Sequence, residues 1–404
     1  MRNRSIETVM ATLAGHRRRW EQLIRSRADH APAQDHDAAC DHLIEVRKFG
    51  SNPGALRMFK YVPANPEPAL VVVLHSCTQT AGQYDLGAGW STLADRYGFV
   101  LLLPQQQAAN NPNVCFNWFL PDDMERHKGE AASIHQMVER MVRDHGIDRG
   151  RVFVTGLSAG GAMTAVMLAA YPETFAAGAV IAGLPYGTAK NVNEAFESMF
   201  QVRPRAAPAW GDLVRAASPH RGPWPRLSVW HGSADPVVKP QNAEEIVKQW
   251  TDVHGLDEVP TQTEIVDGYP RQVWRDRAGE AIIEHYTISS MAHGTPLATG
   301  GADEHCGTPG AFLLEVGISS SYHIAKFWGL TGHPRRAVAK RSKPASQIAA
   351  RARSLLPGAT ATLAGVREPA GGAPEPASPL HARTIDVHEV ITKALRAAGL
   401  WKSP

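Results

Sequence analysis

The chain has 404 residues, 43% of them hydrophobic and 20% charged, a globular composition with length for one large α/β domain plus extensions. Its net charge of +3 is unevenly spread: residues 1–38 carry +2 and residues 334–404 carry +8, which leaves about −7 on the body between them. That balance argues against a nucleic-acid-binding body and permits electrostatic docking of the C-terminal segment on an anionic surface.

Residues 1–38 read as a polar, basic helical lead-in. "MRNRSIETVMATLAGHRRRWEQLIRSR" has the spacing of an amphipathic helix and lacks the apolar core of a secretory signal. The catalytic domain is expected over 39–332. Ile44 to Phe49 and Leu56 to Val62 flank "GSNPG", so an antiparallel hairpin is predicted. Ala69 to His75 is a continuous apolar run, the pattern of a strand buried on both faces. A helix near Trp90 to Tyr97 follows, then "FVLLLPQ" as a second buried strand, then a helix over "GEAASIHQMVERMVRDHG" that Gly146 ends. Arg151 to Val154 predicts a strand, Ala162 to Tyr171 a helix, and "AAGAVIAG" a strand. Residues 184–225 break the rhythm with Pro, Arg, Trp and Gly and are expected to pass over the active-site edge. "RLSVWHG", a helix near Ala243 to Trp250, the strand "AIIEHYTIS" and a helix from about Ala311 to Trp328 complete the domain. Alternation of this kind implies an α/β fold, with a mostly parallel, doubly wound sheet and helices on both faces.

Residues 333–383 read as a linker, first basic (seven Lys/Arg and no acid over 335–353), then rich in Pro, Ala and Gly. Residues 384–404 predict a helix whose Val387, Val390, Ile391, Ala394, Leu395 and Ala398 form one apolar stripe. No stretch approaches the roughly 18 apolar residues of a membrane-spanning helix. Cys40, Cys77, Cys115 and Cys306 are too few for a disulfide-rich scaffold and lack a C-x-x-C spacing, though a single disulfide has room to form. Few cysteines and no export signal favour a cytoplasmic protein, with an extracellular one as the alternative.

The chemistry is read from "VTGLSAGGAM". A strand feeding a helix through G-x-S-x-G (Gly156, Ser158, Gly160) is the sequence form of a nucleophile elbow. A serine hydroxyl needs a base to take its proton, and the base needs an orienting carboxylate. In this architecture they follow in the order Ser, acid, His. Asp235 lies just past the strand "LSVWHG", whereas Asp212 and Asp252 follow no strand. His293 lies in "SSMAHGTPL", the loop after the last clear strand. His285 and His323 fall inside predicted elements, and His254, His305, His333, His381 and His388 lack a strand-end context. The oxyanion donors are expected from the backbone N–H of Ala159 and of Ser76 or Cys77, with Cys77 favoured. His75 is assigned a structural hydrogen bond. Trp118 and Tyr186, both beyond strand ends on the same edge, are expected to line an apolar substrate groove.

"LHSCTQTAGQYDLGAGWSTLADRYGFVLLLPQQ", "CFNWF", "RVFVTGLSAGGAMTAVMLAAYPETFAAGAVIAGLPYG", "HGSADPVV" and "MAHGTPL" together resemble the polyhydroxybutyrate depolymerase family, and more narrowly its type 1 catalytic domain. The resemblance covers roughly residues 40–330 and is shared with feruloyl and acetylxylan esterases. It implies an α/β-hydrolase fold and hydrolysis of poly(3-hydroxybutyrate) or its oligomers. Ser158 would be nucleophile, Asp235 acid and His293 base, with no metal or cofactor. Ser76 departs from the glycine usual in that family. The family is largely secreted, and this chain looks more like intracellular members acting on storage granules, to which its C-terminal segment could attach; the alternative is a helix that docks on its own domain or on a partner subunit. A feruloyl or acetylxylan esterase, or a granule-associated binding protein with little activity, are the competing expectations.

Overall fold

The computed structural model describes residues 42–332. The expected N-terminal helix, linker and C-terminal helix lie outside the described residues. Ten strands form one sheet: β1 (Ile44–Glu45), β2 (Arg57–Tyr61), β3 (Leu70–Leu74), β4 (Val100–Gln105), β5 (Val152–Leu157), β6 (Ala177–Ile181), β7 (Arg226–Gly232), β8 (Gln262–Val266), β9 (Tyr269–Arg275) and β10 (Ala281–Ile288). Their order across the sheet is β1-β2-β4-β3-β5-β6-β7-β10-β9-β8. The six from β4 to β10 in that order run parallel, and β2, β9 and β8 join antiparallel at the two margins. A small second sheet pairs β11 (Thr295–Leu297) with β12 (Leu313–Glu315).

Strand sequences explain the layers. In β3, Leu70, Val72 and Leu74 face one core, and Val71 and Val73 face the other. The first core also takes Ile134, Met137 and Met141 of a helix at Gly129–His145, and Ile246 and Trp250 of another at Gln241–His254. The second core takes Trp90 and Leu93 from the helix Trp90–Tyr97, and Tyr322 and Ile324 from Ser320–Phe327. In chain order the helices are α1 (Ala81–Ala88), α2 (Trp90–Tyr97), α3 (Pro121–Met124), α4 (Gly129–His145), α5 (Ala159–Ala170), α6 (Val192–Gln201), α7 (Ala207–Ala216), α8 (Gln241–His254) and α9 (Ser320–Phe327). Every residue of α5 is buried, and its Gly/Ala-rich sequence lets it lie close against the sheet.

One local expectation is revised, and three features went unread in the sequence. The helix that closes the catalytic domain starts at Ser320 rather than near Ala311, because Leu313–Glu315 pairs with β11 and Ser319 caps the helix through the Tyr322 N–H. Helix α1, unread because "AGQYDLGA" holds two glycines, is nucleated by a capping box in which Thr80 and Gln83 bond each other's backbone N–H. The hairpin β8–β9 turns on Asp267-Gly268, both at positive φ, with Val266 opposite Tyr269. The 184–225 segment contains two helices, α6 and α7.

Candidate active site

Ser158 sits between β5 and α5 with φ at 57°. A non-glycine residue is strained there, and the surrounding backbone over-determines it. Its N–H donates to the Ile181 carbonyl at 2.9 Å, and its own carbonyl accepts the Ala162 N–H at 2.8 Å, the first bond of α5. The turn depends on Gly160. A Cβ there would lie 2.3 Å from the Leu74 carbonyl oxygen, so only hydrogen fits between α5 and β3. Ala159 is the first residue of α5, where a helix leaves N–H groups without intrahelical partners and presents its positive dipole end.

Asp235 follows β7 and His293 follows β10. Both strands run parallel to β5, so all three side chains belong to loops at one edge of the sheet. His293 Nδ1 lies 2.7 Å from Asp235 Oδ2. Their approach requires Gly232, where a Cβ would stand 2.3 Å from the Met291 carbonyl. That same carbonyl accepts the Ala234 N–H at 3.0 Å and ties the two loops together. The other oxygen, Oδ1, accepts the N–H groups of Val237 at 2.8 Å and Val238 at 3.0 Å. Burial opposes charge on Asp235, but the His293 and His231 imidazoles outweigh it and hold the carboxyl below the usual carboxylate range. Since the carboxylate only accepts, His293 carries its proton on Nδ1 and turns a lone pair at Nε2 outward. Phe312 packs edge-on against the ring, with centroids 5.5 Å apart.

The loop after β3 is built around His75. Its Nδ1–H donates to the Ser76 carbonyl at 2.7 Å and its Nε2 accepts the Gln106 N–H at 3.1 Å. Burial pushes the imidazole down to about 4, so the ring is a neutral strut. The Ser76 N–H donates to Gln79 Oε1 and the Thr78 N–H to the Asn113 carbonyl. Between them, the Cys77 N–H has no such partner among the described residues. Cys77 forms a disulfide with Cys115, fastening this loop to the segment after β4. That segment is held in turn by the buried Glu130 at the start of α4. Its carboxyl oxygens accept Gln106 Nε2–H at 2.5 Å and the Asn117 N–H and Nδ2–H at 2.8 Å each. Burial, with Asp123 adding to it, raises Glu130 to about 8.

Trp118 lies in that clamped segment, buried in the first core and edge-on to Phe119 with centroids 5.3 Å apart. Tyr186 is half-buried, and Gln249 grips its backbone N–H and carbonyl at 3.0 Å each. The rejected alternatives have other partners: Asp212 and Asp252 share Arg215, and His254 bonds the Pro225 carbonyl at 3.0 Å. Sequence reasoning missed His231, whose Nε2 lies 3.1 Å from Asp235 Oδ2. Its signal was alternation in β7, which turns Val229 and His231 to one face. It also missed Glu130 and the Cys77–Cys115 pair. Among the described residues no group of three or more His, Cys, Asp or Glu side chains could hold a metal ion. No helix among them is long and apolar enough to cross a membrane.

A mostly parallel sheet whose strand-end loops hold a strained serine and a paired aspartate and histidine defines an α/β-hydrolase. Residues 60–264 match the family model described as esterase PHB depolymerase. The chain is 48% identical over 293 residues to poly(3-hydroxyalkanoate) depolymerase C of Paucimonas lemoignei, an alignment covering 72% of this chain and 70% of that protein. It is 36% identical over 267 residues to an acetylxylan esterase of Coprinopsis cinerea, covering 63% and 69%. The solved structure of an acetyl xylan esterase from Aspergillus awamori superposes with a TM-score of 0.60 at 27% identity, covering 71% of this chain and 99% of that one. The chain belongs to the esterase PHB depolymerase family and is a carboxylic ester hydrolase.

Proposed function

We propose that the enzyme hydrolyses the ester bonds of poly(3-hydroxybutyrate) or its oligomers through Ser158, His293 and Asp235. The observation that carries the mechanism is the 2.7 Å contact of His293 Nδ1 with Asp235 Oδ2 at the edge that holds the strained Ser158 turn. Ser158 Oγ attacks the ester carbonyl while His293 Nε2 takes its proton. The tetrahedral oxyanion is held by the N–H groups of Cys77 and Ala159. Collapse breaks the ester bond, and His293 returns the proton to the departing hydroxyl. Water, deprotonated by the same imidazole, then cleaves the acyl-enzyme and frees Ser158. Asp235 stays ionised throughout and holds the productive tautomer. Trp118 and Tyr186 wall the acyl groove. Burial pushes the Tyr186 hydroxyl up to about 12, so it offers the polymer a neutral surface.

The 48% identity to the Paucimonas lemoignei depolymerase supports the polyester substrate. The acetylxylan esterase relative supports a second reading, an esterase acting on acylated polysaccharide. Release of 3-hydroxybutyrate from amorphous polymer, against turnover of methyl ferulate and acetylated xylan, separates them. A serine-directed phosphonate should add one adduct, at Ser158. Retained activity with Ser158 unmodified would sink the mechanism. The Cys77–Cys115 disulfide supports the extracellular alternative, because such bonds persist in oxidising compartments. Attachment of residues 334–404 to an anionic granule surface is a proposal from their charge and apolar stripe.

A further inference from the structure

The Asp235 carboxylate receives more N–H groups than one catalytic histidine supplies, and the extra ring comes from β7. His231 is buried, with Nε2 at 3.1 Å from Asp235 Oδ2 and 2.9 Å from the Val238 carbonyl oxygen. Both neighbours are acceptors, so the hydrogen of His231 is on Nε2 and is shared between them. Its Nδ1 is buried with no protein partner among the described residues, which suits a bare lone pair. Oδ2 thus lies between two ring N–H groups, while Oδ1 is held by Val237 and Val238. The carboxylate cannot turn without losing several of these bonds. The 235–238 turn is itself fixed on the His231 ring through the Val238 carbonyl.

We propose that His231 is a positioning residue of this esterase: its Nε2–H aims Asp235 Oδ2 at His293 and takes a share of the negative charge that His293 would otherwise feel. The inference rests on the assignment of Asp235 and His293 above. The titratable groups facing His231 are Asp235 and His293 on the loops and His285 on β10. His285 pairs with Val229 in register and so stands diagonal to His231 on the same face. Burial pushes His285 down to about 4, so it adds no charge over the working pH range.

The share of charge has a sign. The acidic limb of kcat/KM reports protonation of the free enzyme's base. Without the His231 donor, Oδ2 presents its full charge to His293, and the limb moves to higher pH. The test compares His231→Met, which removes the donor, with His231→Gln, whose Nε2–H occupies a similar place, and with Asp235→Asn. The substrate is a soluble hydroxybutyrate oligomer. Expected for His231→Met is an upward limb shift of about half a unit to one unit and a roughly tenfold fall in kcat at nearly constant KM. His231→Gln should restore most of the limb position. A His231→Met limb that coincides with wild type, while Asp235→Asn loses activity, reduces His231 to packing and overturns the proposal alone. Near-normal activity of Asp235→Asn overturns the underlying assignment instead. Should the Met variant not fold, the nitrogen chemical shifts of His231 in the wild-type enzyme decide. A bare Nδ1 with hydrogen on Nε2 supports the proposal, and hydrogen on Nδ1 with a bare Nε2 refutes it.

Discussion

Substituting Gly160 by alanine sets two calculable effects against each other. Gly160 lies in the first turn of α5, where alanine gains up to about 1 kcal/mol of helix propensity over glycine. Against that, the new Cβ would stand 2.3 Å from the Leu74 carbonyl oxygen and 2.7 Å from that of His75. The nearer contact is roughly an ångström short of an ordinary carbon–oxygen approach. Those neighbours are backbone and cannot rotate away, so the upper end of the overpacking range, about 3 kcal/mol, applies. The net expectation is a loss of about 2 kcal/mol, or about 5 °C in Tm. Catalysis should suffer more. Relief of the clash moves the start of α5 by nearly an ångström, and with it Ser158 and the Ala159 N–H. A displacement of that size costs roughly 10²-fold in turnover. The assay is thermal unfolding with hydrolysis of a soluble butyrate ester. Gly146→Ala serves as control, because it has φ at 59° and nothing within 4 Å of its Cβ. Its cost is left-handed strain alone, about 1 kcal/mol, with turnover unchanged. A Gly160→Ala enzyme that matched wild type in both Tm and kcat would refute the close-approach reasoning.

Asp235→Asn should keep the fold and lower kcat by roughly 10⁴-fold, by analogy with serine proteases, because the amide no longer specifies the Nδ1–H tautomer of His293; a loss under tenfold contradicts the assignment. Replacing Cys115 by serine opens a loop with a sequence separation of 38. Unfolding free energy should fall by about 4 kcal/mol, with kcat reduced more than KM, and equal effects on both constants would place the oxyanion donor elsewhere. Glu130 holds a proton in the folded enzyme up to about pH 8 that the unfolded chain sheds near its ordinary 4.5. Its contribution is therefore complete below 4.5 and lost as pH rises toward 8, so Tm should fall over that window. Glu130→Ala should flatten the slope, and an unchanged slope contradicts the burial argument. Deleting residues 334–404 should spare soluble-ester hydrolysis and weaken co-sedimentation with polymer granules, most visibly at low salt; equal co-sedimentation removes the anchoring role.

The parallel core was legible because its strands are apolar on both faces: "LVVVL" and the run around "VLLLP" admit no other burial. The elbow was legible because a strained turn demands glycines at fixed offsets, and Asp235 and His293 because strand ends mark them. What escaped depends on pairings distant in the chain. Cys77 and Cys115 announce nothing at a separation of 38. Glu130 resembles any helix-start acid until the Gln106 and Asn117 side chains close over it. His231 is one of many histidines until the turn after β7 curls back over its ring. The β8–β9 hairpin is different: Asp267-Gly268 between β-branched and aromatic residues is a strong local signal that the sequence reading passed over.

The order of the three loops along the chain also has a consequence in time. Ser158 leaves the ribosome 135 residues before His293. At roughly 5–20 residues per second, that is an interval of about 7 to 27 s. Throughout it the nascent chain lacks the imidazole we assign as the base, whose loop follows β10, the parallel partner of β7. If His293 is the base, as we propose, fragments released before residue 293 lack it, and a lysate assay should count only chains that extend beyond the loop after β10.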